Sequence, residues 1–242
     1  MDQHWVQKAA PSQEIADRRR WKSSGAITRH KAFTPAHHPS FVQLYYALEA
    51  RRTSLTAPMV VQFVSPSTEA GVSTVASGYA RVAATGRSTP VLFVDASCRS
   101  GRHTIAAANV PSLVQAYERG VNIAEAAIPA RYGENLLWSR LSDQPDALIE
   151  LGGDRLQSLF GLLGKLYQLI VLDSASIERP EAALLSRYCD GSLLVLEAGV
   201  TSQSQIDAAS RRLKQFGGVA IGAVLNRERR ALPRKQIQYL KN

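Results

Sequence analysis

The chain has 242 residues, 45% of them apolar, and a formal net charge of +9. That length holds one large domain or two small ones with a sizeable core, and no apolar run approaches the roughly 18 residues of a membrane-spanning helix. The opening MDQHWVQKAAPSQEIADRRRWK lacks the apolar centre of a secretory signal, and Cys98 and Cys189 form no metal or redox motif, which reads as two buried thiols in a reducing cytoplasm.

The charge is unevenly placed. Residues 1–40 carry +4, residues 227–242 carry +5, and residues 41–226 balance to zero. Basic ends on a neutral body suggest an acidic surface: anionic lipid, an acidic protein or nucleic acid. Residues 1–39 are predicted to form a basic, extended and flexible arm. The arm holds four of the five histidines, none at metal-ligand spacing, so no metal site is expected. Its cluster Arg18, Arg19, Arg20, Trp21 and Lys22 suits a membrane surface or a partner, with Trp21 as an interfacial ring, and equally suits an ordinary linker.

Next comes a predicted α/β domain over 40–228. A helix is expected at 40–52. Short apolar runs then alternate with helical patterns: strand 59–65 (MVVQFVS), a helix of small residues at 73–85, strand 91–95 (VLFVD), helix 111–120 and a weaker strand 135–141. In DRLQSLFGLLGKLY the apolar positions 156, 159, 160, 163, 166 and 167 mark one helix face over 154–167. Strand 169–173 (LIVLD), a helix opened by Pro180, strand 192–198, a helix at 203–217 closed by glycine and strand 219–226 complete the domain. A basic tail, 229–242, follows. Uniformly apolar strands separated by helices predict a mostly parallel, doubly wound sheet with helices on both faces. Ligands on such sheets bind outside the carboxyl ends of the strands. That directs attention to Ser65, Asp95, Asp173 and Asn226.

The segment SPSTEAGVST lies between the first strand and its helix, where a phosphate loop would wrap backbone N–H groups and a helix N-terminus around phosphate oxygens. Such loops use a lysine on the β/γ-phosphates, a Ser/Thr hydroxyl on magnesium and a carboxylate from a neighbouring strand. Gly71 stands in the glycine position, Ser73 in the magnesium-hydroxyl position with Thr74 behind it, and Asp95 and Asp173 are strand-end carboxylates. Each has a plainer role available. Gly71 supplies a tight turn, Ser73 caps a helix, Asp95 and Asp173 hold loops, and Asn226 ends a strand.

FVSPSTEAGVST, VLFVDASCRSG, LIVLDSAS, DGSLLVLEAGVT and IGAVLN come in this order. Together they resemble the cytoplasmic domains of capsule-type bacterial tyrosine autokinases, members of the MinD/ParA-like deviant phosphate-loop ATPases. The resemblance covers roughly residues 40–228 and implies a P-loop NTPase-like fold. It also implies a nucleotide site at Gly71, Ser73, Thr74, Asp95 and Asp173, with Asn226 at the adenine and Arg99 and Thr201 at family-like places. Several positions depart from the pattern. Val72 replaces the phosphate lysine, Glu69 a loop glycine, Ser97 the second acid of a DxD, and Ala175-Ser176 two prolines. The tail holds Tyr239 where the family has a tyrosine cluster.

These departures predict a vestigial site with no catalytic residues, and neither ATP nor ADP with magnesium is expected to bind. A lysine from Lys22, Lys31 or a partner chain could rescue the site. The family resemblance implies a component of surface-polysaccharide biosynthesis and export. It would be cytoplasmic and peripheral at the inner membrane, docked on a polysaccharide co-polymerase (a chain-length determinant). Contact with an anionic membrane and a small homo-oligomer are further expectations. Arg51 and Arg52 end the predicted first helix, without a clear match to the family's oligomerisation motif. Alternatives are an active divergent ATPase or tyrosine autokinase, and a MinD/ParA-like scaffold. Nucleic acid is not an expected partner, because no DNA-reading motif occurs.

Overall fold

The computed structural model describes residues 38–52, 54, 57–98, 110–130 and 135–228. The expectations for most of the arm, with its Arg18–Lys22 cluster, and for Arg99, Lys31 and the 229–242 tail lie outside these residues.

Helix α1 (Pro39–Glu49) opens on Pro39, with His38 accepting from the Ser40 amide, and leads to strand β1 (Met59–Ser65). Helix α2 (Val72–Thr85) and strand β2 (Val91–Ala96) follow. Helix α3 (Leu113–Glu118) starts from a capping box in which Ser112 and Gln115 satisfy each other's backbone N–H. A 3₁₀ turn (Ile123–Ala126), strand β3 (Ile128–Pro129) and strand β4 (Leu136–Arg140) come next. Helices α4 (Asp146–Leu151) and α5 (Gly153–Leu166) precede strand β5 (Leu169–Ser176). Helix α6 (Pro180–Leu185), strand β6 (Gly191–Glu197), helix α7 (Gln203–Gln215) and strand β7 (Ala220–Asn226) complete the described chain.

The sheet has the order β3-β4-β2-β5-β1-β6-β7, parallel except for β3 against β4. All seven residues of β1 are buried, because β5 and β6 flank it and helices cover both faces. From β1 the chain crosses through α2 to β2. From the adjacent β5 it crosses through α6 to β6, on the other side of β1. The neighbouring loops therefore leave in opposite directions and open a switch-point crevice at the carboxyl ends of β1 and β5.

Alternation along the strands sorts the core. Val61, Phe63, Val91, Phe93, Val171, Leu193 and Val195 pack with α2 on one face. Val60, Leu92, Val94, Ile170 and Leu172 pack with α3, α4 and α5 on the other. Small residues let α2 lie close: a Cβ on Gly78 would sit 2.4 Å from the Phe41 ring, so α1 seats that ring on the glycine.

The predicted doubly wound sheet is observed, with most element boundaries shifted by one to three residues. The exceptions have local causes. Strand β5 runs three residues past Asp173, pairing Ser65 with Ser176. The helix opened by Pro180 becomes 3₁₀ at Ser186–Tyr188. Helix α4 and strand β3 carried no sequence signal, being only six and two residues long, too short to display a period.

Candidate functional site

On β1, β2 and β5 the residues in step with Phe63, Phe93 and Val171 face α2. That alternation puts Ser65, Asp95 and Asp173 on the α2 side at the carboxyl edge. Glu197 follows Leu193 and Val195 in the same step, and Asn226 follows Val224. The topology thus gathers five polar strand-end residues beneath the start of α2. Asp95 and Asp173 are register partners across the β2–β5 pair, and Asp173 is buried, 7% exposed.

The loop above them turns through two left-handed residues into the start of α2. Gly71 is left-handed (φ 86°, ψ 30°), and its carbonyl accepts from the Thr74 and Val75 amides to start α2. Glu69 is also left-handed, at φ 68°. A side chain with a Cβ costs about 1–2 kcal/mol in that region, so glutamate occupies a position that suits glycine. Ser73 does not cap the helix. The cap residue is Gly71, without a side-chain bond, and Ser73 lies inside the first turn, exposed beside an exposed Thr74. Val72 is 9% exposed and packs with Phe63, Val75 and Val195. The position of the expected lysine is therefore occupied by core.

The polar groups of this edge are bonded within the chain. The Asn226 side-chain amide donates to the Ala70 carbonyl at 2.9 Å. The same amide nitrogen lies 2.3 Å from where a Cβ on Gly71 would be, so glycine is needed for close approach as well as for φ. One Asp95 oxygen, Oδ1, accepts from the Ser97 amide at 3.0 Å and the Ser97 hydroxyl at 2.7 Å. Ser97 is thus the local hydrogen-bond partner of Asp95.

The Ser65 hydroxyl donates to the Ser67 carbonyl, and the Ile177 amide donates to the Ser65 carbonyl at 2.9 Å. The Ser176 hydroxyl reaches the Pro66 carbonyl at 3.4 Å. Thr201 closes the turn after β6, accepting from the Glu197 amide at 2.9 Å through its hydroxyl. Glu197 is paired with Arg227 at 3.0 Å.

Ser176, Glu197 and Arg227 were missed in the sequence. The two-residue step along β6 could have found Glu197. Ser176 was seen only as a lost proline, and nothing local announced that its hydroxyl ties the loop to β5. Cys98, two residues beyond the end of β2, is buried, and desolvation pushes its thiol up to about 12. Among the described residues, no group of three His, Cys, Asp or Glu side chains could hold a metal. No described helix is long and apolar enough to cross a membrane.

No family model matches the chain. Over 88 residues it is 31% identical to the tyrosine-protein kinase CpsD of Streptococcus pneumoniae, a stretch covering 36% of this chain and 38% of that relative. The match therefore spans well under half the length of the curated relative. The kinase domain of the Escherichia coli tyrosine kinase ETK superposes with a TM-score of 0.69 at 21% identity, covering 91% of this chain and 90% of that one. The chain has the bacterial tyrosine-kinase fold. The cell-division ATPase MinD of Pyrococcus furiosus has a similar fold, with a TM-score of 0.55 at 18% identity over 75% of this chain and 78% of its own.

Proposed function

We propose that the chain is a non-catalytic, kinase-like component of bacterial surface-polysaccharide biosynthesis and export, docked peripherally at the inner membrane on a polysaccharide co-polymerase. The resemblance to capsule-type kinases supports the polysaccharide role. The burial of Val72 in the core carries the non-catalytic reading. Losing a charge-assisted phosphate contact costs about 1.5–3 kcal/mol in binding, and more in a phosphoryl-transfer transition state, where charge stabilisation dominates.

The remaining edge residues fit a nucleoside triphosphate poorly. Glu69 adds an exposed carboxylate to the loop, and the Asn226 amide is engaged on Ala70. Magnesium and ATP therefore have no step in this reading. The basic termini suit a site beside anionic lipid, where each Lys or Arg near the surface contributes about 1 kcal/mol.

The test is calorimetry of ATP and ADP on the full chain, with and without magnesium, alongside co-purification with the detergent-solubilised co-polymerase. The expected result is no nucleotide binding at millimolar concentration and retention on the co-polymerase. Micromolar ATP binding with turnover lost in Asp173→Ala would overturn the non-catalytic reading. Failure to co-purify would overturn the docking.

A further inference from the structure

Among the described residues, β7 has β6 on one side and no strand on the other. None of its seven residues is buried. Residues 215–226 carry no charged side chain, although the whole chain is 20% charged. Soluble proteins guard such edges with charge or proline, because a row of free N–H and C=O groups is a template for another strand. This edge has neither. Its one bulge, at Ile221, lies near the amino end and leaves 222–226 in regular register with 193–197 of β6.

The direction of the free groups follows from the ladder. The Ala198 amide donates to the Asn226 carbonyl, so Asn226, and with it Val224 and Gly222, turn their backbone groups toward β6. The N–H and C=O of Ala223 and Leu225 therefore point away from the sheet. Both side chains lie on the α7 face, in register with Leu194 and Leu196. Leu225 is 57% exposed, and the smaller Ala223 is exposed too.

We propose that β7 pairs antiparallel with β7 of a second copy of the chain, about a twofold axis at Val224. That register sets Leu225 opposite the partner's Ala223. The two outward-facing residues then exchange both backbone hydrogen bonds, and the symmetry repeats the pair. In each pair the larger apolar side chain meets the smaller one on the α7 face. Charge fits the same occupant. Arg227 falls opposite the partner's Ile221 and Glu228 opposite the partner's Ala220, so no like charges meet. A charged strand would find no counter-charge on 215–226, whereas a copy of this strand needs none. The pairing is independent of the co-polymerase docking. A single strand pair sits at the low end of specific interfaces, so the dimer dissociates in the micromolar range.

The experiment is sedimentation velocity of the full chain over a concentration series, with amide hydrogen exchange at both ends of the series. A monomer–dimer equilibrium is expected, with the Ala223 and Leu225 amides exchanging more slowly in the dimer. Leu225→Lys and Ala223→Glu each change an exposed side chain, and each is expected to weaken dimerisation tenfold or more. Mixed in equal amounts, the two variants are expected to pair again, because the register sets the new cation opposite the new carboxylate. That recovery also shows that both variants fold. A monomer at every concentration overturns the proposal, in favour of a strand from a different protein on this edge. A dimer that neither substitution weakens overturns it by placing the contact elsewhere. Loss in both variants without recovery in the mixture overturns the antiparallel register.

Discussion

The two edges of the sheet handle charge in opposite ways. At the carboxyl edge, Asn226, Ser97, Ser176 and Thr201 bond to the loops around them, and Val72 is buried in the core. At the amino edge, two nearly buried arginines, Arg52 and Arg87, share Glu49, and a guanidinium N–H of Arg87 remains without a partner. The carboxyl edge is held by hydrogen bonds between neutral and singly charged groups of neighbouring loops. The amino edge is tied instead by charge, with one carboxylate joining the end of α1 to the turn after α2.

The strongest way to break this contrast is Glu49→Ala. Removing the shared carboxylate leaves both guanidiniums facing each other in a nearly dry site. The expected loss is about 3 kcal/mol, the low end for breaking a buried pair, since Glu49 itself is partly exposed. Urea unfolding measures it, as a lower midpoint at constant m-value. An unchanged midpoint would show that solvent already screens the cluster, and the two edges would no longer differ.

At the carboxyl edge the larger test is Gly71→Ala. The left-handed φ costs about 1–2 kcal/mol, and the new Cβ collides with the Asn226 amide. The expected total is about 2 kcal/mol, with Asn226→Ala alone costing about 1 kcal/mol for the lost hydrogen bond. The double variant should be less destabilised than the sum of the two, because it removes the collision and keeps only the strain. Strict additivity would mean that Asn226 and the loop do not meet in solution.

Much of this was legible in the sequence. The doubly wound sheet followed from apolar runs such as MVVQFVS and VLFVD, and each of the strands that build the crevice lies within three residues of its predicted bounds. The candidate positions Gly71, Asp95, Asp173 and Asn226 do converge on one edge, because strand ends are set by the same periodicity. The partners of these residues could not be read. Ser97 on Asp95 is a local turn, whereas Asn226 on Ala70 joins positions 156 residues apart. Arg52 was read as the end of the first helix, and nothing in the sequence singled out Arg87. Their convergence on Glu49 depends on how α1 lies across α2, which the Phe41–Gly78 contact sets.

The smallest effect belongs to Glu69→Gly. At φ 68° glutamate carries the left-handed penalty, which glycine relieves. Glycine also enlarges the unfolded ensemble, at about 0.4–1 kcal/mol. The net expectation is a gain of about 0.5 kcal/mol, read as a small rise in the urea midpoint at constant m-value. The substitution also removes an exposed carboxylate from the loop, so it tests which residue the proposed non-catalytic reading depends on. If charge repulsion by Glu69 alone kept nucleotide out, the variant would bind ATP. The expected result is a more stable chain that still does not bind, because Val72 remains in the core and supplies no cation. ATP binding in Glu69→Gly would make the carboxyl edge a site held shut by one side chain, and its internal hydrogen bonds would then have to be ones that a nucleotide can displace.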